Sequence, residues 1–197
     1  MKAAEYGKNR KNKDGVSPAI ALVNPKFAHN VGATVRAASC FGIKQIWYTG
    51  NRISMDLEKK KRLPREERMK GYRDVELRQF DYFFDEFDQD VVPVAVELRP
   101  NAELLTQFHH PEKALYVFGP EDGGLSSMHL RHCHRFIVIP TRHCVNLSAA
   151  VYLVLYDRLM KRQQAGLEPT LHINDLLKEH RGVISNDNPL VYDRKSK

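Results

Sequence analysis

Three stretches of the sequence carry residues that could bind a ligand or move a proton, and each follows a short apolar run. Residues 24–36 contain Asn30 and Arg36, residues 118–126 are rich in glycine, and residues 139–148 combine proline, arginine and asparagine. Amide and guanidinium groups supply hydrogen bonds and charge, and glycine lets the backbone approach a ligand closely. Ligands of open α/β sheets bind beyond the carboxyl ends of the strands. These three loops are therefore the candidate site.

Neither of the last two loops identifies a chemistry alone. Residues 118–126 lack the Gly-Lys-Ser/Thr ending of a phosphate-binding P-loop, and they are equally consistent with a turn that reverses the chain. Asn146, in the last loop, is equally consistent with a simple helix cap.

The elements that position these loops follow from the hydrophobic pattern. Short apolar runs alternate with helical segments, which predicts an α/β fold with a mainly parallel sheet flanked by helices. The predicted strands are 18–23, 44–48, 91–96, 114–118 and 136–139. The predicted helices are 30–41, 80–87, 146–161 and a short one at 171–179. Asn30 would cap the first helix, and the aromatic side chains of the second would pack on the sheet.

Length and composition limit the class of protein. The 197 residues are 42% hydrophobic, which is enough for one folded domain. We expect a basic, flexible N-terminal arm at 1–17, a folded domain at 18–162 and a partly ordered extension at 163–197. The apolar runs are too short to span a membrane, and the N-terminus lacks the apolar stretch of a secretory signal. Three cysteines suit the reducing cytoplasm better than a disulfide framework.

The charge of the chain indicates a polyanionic partner. Lys and Arg number 31 against 24 Asp and Glu, a net charge of +7, which favours RNA, DNA or an acidic membrane surface, although solubility alone is also a sufficient reason. Residues 52–78 are especially rich in charge. We predict that nucleic acid contacts Lys59, Lys60, Lys61 and Arg62 there, and Arg142 in the last loop.

Taken together and in this order, the three loops resemble the motifs of the SpoU/TrmH family of RNA methyltransferases, in the SPOUT superfamily. The first motif has Asn30 and Arg36 six residues apart. The second is Gly-Pro-Glu-x-x-Gly-Leu at 119–125. The third is Ile-Pro at 139–140, followed by Asn-Leu-Ser-x-Ala at 146–150. The resemblance covers roughly residues 18–162.

The resemblance implies a SPOUT fold whose C-terminal part is tied in a deep trefoil knot, against the general rule that chains are unknotted. It implies that the knot loops bind S-adenosylmethionine and that the enzyme is a homodimer, with the helix from Asn146 at the interface and the site completed across it. It also implies ribose 2′-hydroxyl methylation of structured RNA, either tRNA or rRNA, and the small size favours tRNA. The implied donor-binding residues are Val96, Leu98, Gly119, Gly124, Ile139, Cys144 and Val145.

The resemblance also implies the catalytic residues, which are Asn30, Arg36, Glu121 and Asn146. A ribose hydroxyl is a poor nucleophile until its proton leaves, and the family assigns that step to the motif-one arginine. A guanidinium gives up a proton only with difficulty. Arg36 would therefore either lose its proton in the assembled complex, or stay cationic, grip a phosphate and stabilise the forming alkoxide. Cys144 stands where the family commonly has serine.

Three other interpretations follow from the same residues. A base-methylating SPOUT enzyme would share the knot, and a catalytically silent RNA-binding protein would share the fold. A zinc site is suggested by His129, His132, Cys133 and His134, but their spacing is too compressed for the usual paired ligands. We therefore predict no metal.

Overall fold

Seven strands in one sheet form the centre of the fold. The computed structural model describes residues 18–53, 74–170, 172, 173 and 176. Within them the strands are β1 (Ala19–Leu22), β2 (Gln45–Tyr48), β3 (Glu76–Gln79), β4 (Val92–Val96), β5 (Glu103–Leu104), β6 (Ala114–Phe118) and β7 (Arg135–Val138). Their order across the sheet is β3-β2-β1-β6-β4-β7-β5, and every pairing is parallel. The α/β class and the mainly parallel sheet are confirmed.

The helices are α1 (Ala28–Cys40), α2 (Ser127–Leu130) and α3 (Leu147–Gln164). The predicted role of Asn30 as a helix cap is wrong. Phe27 occupies the N-cap position, and Asn30 lies inside α1 with 1% of its surface exposed. Its side chain is therefore directed into the protein rather than back onto the first turn. Gly42, with a φ of 71°, follows the end of α1 in the left-handed conformation that glycine adopts without strain.

The central strand β1 divides its side chains between two cores, because successive residues of a strand point to opposite faces of the sheet. Ile20 and Leu22 pack on one face with residues of α1 and α3, whereas Ala19 and Ala21 pack on the other with Trp47. Burial on both faces explains why the sequences of β1, β4 and β6 are apolar runs rather than alternations.

The helix predicted at residues 80–87 is wrong. The segment forms turns and bends between β3 and β4, although its aromatic side chains do pack in the core. Phe83 and Phe87 lie against Trp47, and Phe84 stacks on His132 at 5.0 Å. The consecutive residues Phe83 and Phe84 have ring centroids 4.6 Å apart, so the turns bury neighbouring rings together without a helix.

The five predicted strands are confirmed to within one residue at each end, whereas β3 and β5 are additional. These two are the edges of the sheet and are largely exposed, so they carry no apolar signal. The predicted arm at 1–17, the basic residues Lys59, Lys60, Lys61 and Arg62, and most of the predicted helix at 171–179 lie outside the described residues.

The described chain forms two compact units, one ending at Arg158 and the other beginning at Leu159. The domain boundaries predicted at 18 and 162 remain predictions. Across the described ranges, no helix has the length and apolar character that would let it cross a lipid bilayer.

Candidate active site

A chain of side-chain hydrogen bonds joins the three candidate loops. Asn30 Nδ2 donates to Glu121 Oε1 at 2.6 Å, and Asn146 Nδ2 donates to Asn30 Oδ1 at 3.0 Å. The loops follow β1, β6 and β7, whose carboxyl ends lie at the same edge of the parallel sheet. Three predicted catalytic residues, 91 and 116 positions apart along the chain, are therefore in direct contact.

The chemistry of the three side chains fixes their orientation. An ionised carboxylate only accepts hydrogen bonds, so the amide NH₂ of Asn30 must face Glu121 and its oxygen must face Asn146. The Asn146 oxygen then accepts from the backbone N–H of Ser148 at 2.9 Å and of Ala149 at 3.4 Å, which are the first-turn donors of α3. Asn146 is therefore a helix cap and a partner of Asn30 at once.

Glu121 is held by the loop that follows β1. Its Oε2 accepts from the backbone N–H of Lys26 at 2.7 Å, and its Oε1 accepts from that of Phe27 at 3.4 Å. Partial burial acts to raise the pKa of Glu121, but the hydrogen bonds from Asn30 and from these backbone groups outweigh it and lower the pKa below its usual value. Glu121 is therefore an anion that anchors the site, rather than a proton donor.

Glu97, which sequence analysis did not select, ties the end of β4 to the glycine-rich loop. Its Oε2 accepts from the backbone N–H of Leu125 at 2.7 Å, and its Oε1 accepts from that of Leu98 at 3.1 Å. The Glu97 carboxylate lies directly against Gly124, where an added Cβ would meet Oε2 at 2.9 Å. The apolar run of β4 gave no indication that the next carboxylate would turn toward a loop 28 residues away.

The glycine-rich loop has no room for a side chain at Gly119. A Cβ at this position would lie 2.6 Å from the Gly124 carbonyl carbon and 2.8 Å from the Leu125 nitrogen. Both are backbone atoms, so the two ends of the loop pack directly on each other. The loop can therefore keep its shape only with glycine here.

Two cavities open beside this chain of hydrogen bonds, with volumes of about 440 and 450 Å³. Val96, Glu97, Cys144, Val145 and Ala150 line both, so the cavities adjoin. The first also contains Leu98, Ile139 and Arg142, and the second contains Gly119, Gly124 and the trio Asn30, Glu121 and Asn146. All seven residues predicted to bind the donor thus line one cavity or the other.

Arg36 is not among the residues that line either cavity. It lies on α1 six residues after Asn30 and is partly buried. Residues six apart on a helix are rotated by about 120°, so Asn30 and Arg36 face different directions. The structure therefore brings together three of the four predicted catalytic residues within one chain.

A charged cluster that sequence analysis also missed borders the second cavity. Arg52 donates to both oxygens of Asp122 at 2.8 and 2.6 Å, and Lys26 lies 3.4 Å from the same carboxylate. Hydrogen bonding and charge from these two cations, chiefly Arg52, lower the pKa of Asp122 well below its usual range. Lys26 and Arg52 therefore lie beside two carboxylates, those of Asp122 and Glu121.

The histidines named for the zinc alternative make other contacts in the structure. Within the described part of the chain, no three His, Cys, Asp or Glu side chains come close enough together to hold a metal ion. His129 and His132 instead take part in the aromatic packing around Phe84.

Known proteins resemble this chain in sequence and in fold. The sequence profile of the SpoU rRNA Methylase family matches residues 17–156. The tRNA (cytidine-2′-O-)-methyltransferase TrmJ of Methanocaldococcus jannaschii is 27% identical over an alignment of 163 positions, which covers 73% of this chain and 67% of that protein.

Solved structures share the fold. The TrmH/SpoU tRNA modifying enzyme of A. aeolicus superposes with a TM-score of 0.64 at 20% sequence identity. The superposition covers 83% of this chain and 85% of that chain. The SpoU methyltransferase AviRb from Streptomyces viridochromogenes, in complex with the cofactor AdoMet, has a TM-score of 0.59 at 16% identity, over 74% of this chain and 60% of its own.

Proposed function

The chain belongs to the SpoU rRNA methylase family, and from this membership we propose that it transfers a methyl group from S-adenosylmethionine to a ribose 2′-hydroxyl of tRNA. The products are S-adenosylhomocysteine, the 2′-O-methyl ribose and a proton. The tRNA substrate is favoured by the name of the TrmJ relative, which acts on tRNA.

One observation carries the proposal: the Glu121–Asn30–Asn146 chain lies in the same cavity as the glycine-rich loop. The paired cavities suit a donor of this kind, because each lies within the roughly 300–1,000 Å³ range of small-molecule sites. Val96, Ile139 and Val145 give them apolar walls, and Gly119 and Gly124 expose backbone groups.

The chain's own residues have distinct tasks in this reaction. The apolar walls and the glycine-rich loop hold the donor, whose sulfonium supplies an electrophilic methyl group. Asn30 and Asn146 fix the segments that meet at the acceptor position, so the hydroxyl is aligned with the methyl group. Arg36 acts on the hydroxyl, either as a base in the assembled complex or as a cation that stabilises the alkoxide.

Because Arg36 does not line the cavities of its own chain, we propose that it reaches the site of a second copy. The dimer would form through α3, whose outer surface exposes Leu153 and Tyr156 by 40% and 57%. We also propose that the protein works in the cytoplasm, where its three unpaired cysteines stay reduced.

The test is to map the methyl group. Purified protein is incubated with methyl-labelled S-adenosylmethionine and either bulk tRNA or rRNA, and the RNA is then hydrolysed in alkali. A 2′-O-methyl group blocks cleavage at the next phosphodiester, because that cleavage needs the free hydroxyl. We expect the label in alkali-resistant dinucleotides from tRNA, and mass spectrometry of the nucleosides identifies the nucleotide.

Arg36→Ala is tested in the same assay as the inactive control. We expect it to abolish turnover and to retain the donor affinity of the wild type. Label in a methylated base would favour the base-methylating alternative. Donor binding by calorimetry without labelling of any RNA would favour the silent RNA-binding protein. Turnover by Arg36→Ala equal to that of the wild type would remove Arg36 from the mechanism.

A further inference from the structure

Two aromatic rings stand exposed at the entrance to the second cavity. Phe27 is 42% exposed, and His29 is exposed as well. The rings stack on each other with centroids 5.3 Å apart and planes 22° from parallel. Both line the cavity that contains Asn30, Glu121 and Asn146.

We propose that the Phe27–His29 pair is a stacking platform for a nucleobase of the RNA, beside the ribose that is methylated. This inference rests on the proposed function and extends it to the recognition of the target nucleotide. Proteins read unpaired RNA by stacking splayed bases on aromatic side chains. A platform at this place would hold the base while the Asn30 loop holds the sugar.

The charges around the pair suit RNA. The Lys26 ammonium lies over the Phe27 ring, 5.4 Å from its centre, so a base that stacks on that face takes the place of this cation. Lys26 also pairs with Asp122, to which Arg52 donates two hydrogen bonds. A base stacked on Phe27 would bring its phosphates close to these cations, where they would compete with the Asp122 carboxylate for Lys26 and Arg52. Aromatic rings beside basic groups form the usual combination in single-stranded RNA sites.

The pair lines one of the two cavities and not the other. Phe27 and His29 line only the second cavity, whereas Leu98 lines only the first. Gly119 and Gly124, which the family implies for donor binding, line the second cavity as well, so donor binding and RNA recognition must be measured separately. If the pair holds a base, loss of the Phe27 ring should weaken RNA recognition and leave donor binding intact.

The experiment replaces Phe27 in the full-length protein. Phe27→Ala should lower kcat/KM for bulk tRNA by between about fivefold and a hundredfold, the range that loss of one stacked aromatic ring produces. Phe27→Tyr keeps a ring and should retain activity, whereas Phe27→Leu keeps apolar bulk without a ring and should resemble Phe27→Ala. The backbone N–H that binds Glu121 is unchanged in all three variants.

Two further measurements complete the design. Leu104→Ala removes a side chain of similar exposure (40%) from the edge strand β5 and should leave kcat/KM unchanged. Calorimetry with S-adenosylmethionine should give the same Kd for all variants. A wild-type kcat/KM in Phe27→Leu, or a weakened donor Kd in Phe27→Ala with intact RNA binding, would overturn the platform.

Failure of the platform and failure of the proposed function are distinguishable. Binding of a single-stranded RNA that carries 2-aminopurine is followed by quenching of its fluorescence on stacking, and it needs no turnover. If the wild type methylates no RNA, this measurement still decides the platform. Quenching by the wild type that Phe27→Ala loses supports stacking, and equal quenching by both refutes it.

Discussion

At the scale of single residues, Asn30 is where the three loops meet. Its buried amide donates to an anion and accepts from another amide, so neither end can be reversed without loss of a hydrogen bond. Because the pKa of Glu121 is lowered, the contribution of Glu121 to stability is present above the ordinary glutamate pKa. It is lost only as the pH falls through the lower native value.

This polarity leads to a prediction for Asn30→Asp. A carboxylate in place of the amide would face Glu121 with like charge, and the free energy of unfolding near pH 7 should fall by roughly 2–3 kcal/mol. Denaturant unfolding at several pH values would measure it, and the deficit should shrink in acid, where one shared proton restores a hydrogen bond. Adding Glu121→Gln should restore part of the loss at neutral pH, since the new amide at position 121 donates to the new carboxylate at position 30. Absence of any rescue would mean that the contact does not govern stability.

At the scale of elements, the glycine-rich loop is shaped by backbone packing on itself. Gly119→Ala would press a methyl group against the backbone of Gly124 and Leu125. The displaced Leu125 N–H would then lose its hydrogen bond to the Glu97 carboxylate. A shift of this kind costs about 1–3 kcal/mol, and we expect it to appear as a donor Kd raised by at least about fivefold in calorimetry.

Gly123→Ala is the matched control, because a Cβ on Gly123 meets nothing within 4 Å and the loop is otherwise the same. Equal donor Kd values for Gly119→Ala and Gly123→Ala would show that the close approach at Gly119 does not shape the donor site.

The elements also show what the sequence could predict. The runs at 19–22 and 114–118 are apolar because both faces of these strands are buried, so their pattern located the sheet. The edge strands β3 and β5 bury little and left no such pattern. The resemblance to the family's motifs selected Asn30, Glu121 and Asn146, but the links among them join residues 91 and 116 positions apart. The order of the strands in the parallel sheet brings those positions together, and a local sequence pattern does not specify that order.

At the scale of the whole molecule, one chain brings three of the four predicted catalytic residues to its own cavities. Arg36 lies about 120° from Asn30 around α1 and lines neither cavity. The symmetric dimer proposed above would resolve this, because a twofold axis can bring Arg36 of each copy to Asn30 of the other.

The arrangement predicts complementation between two defective variants. Arg36→Ala and Gly119→Ala are co-expressed with different tags, the mixed dimer is isolated by both tags, and turnover is measured at a donor concentration too low to saturate Gly119→Ala. If Arg36 acts across the interface, one of the two sites in this dimer is intact, and its activity should be about half that of the wild type.

The mirror experiment pairs the wild type with the double variant carrying both changes in one chain, and that dimer should lose most of its activity. Reversal of the two results would place Arg36 in the site of its own chain, and failure to isolate any mixed dimer would refute the dimer itself.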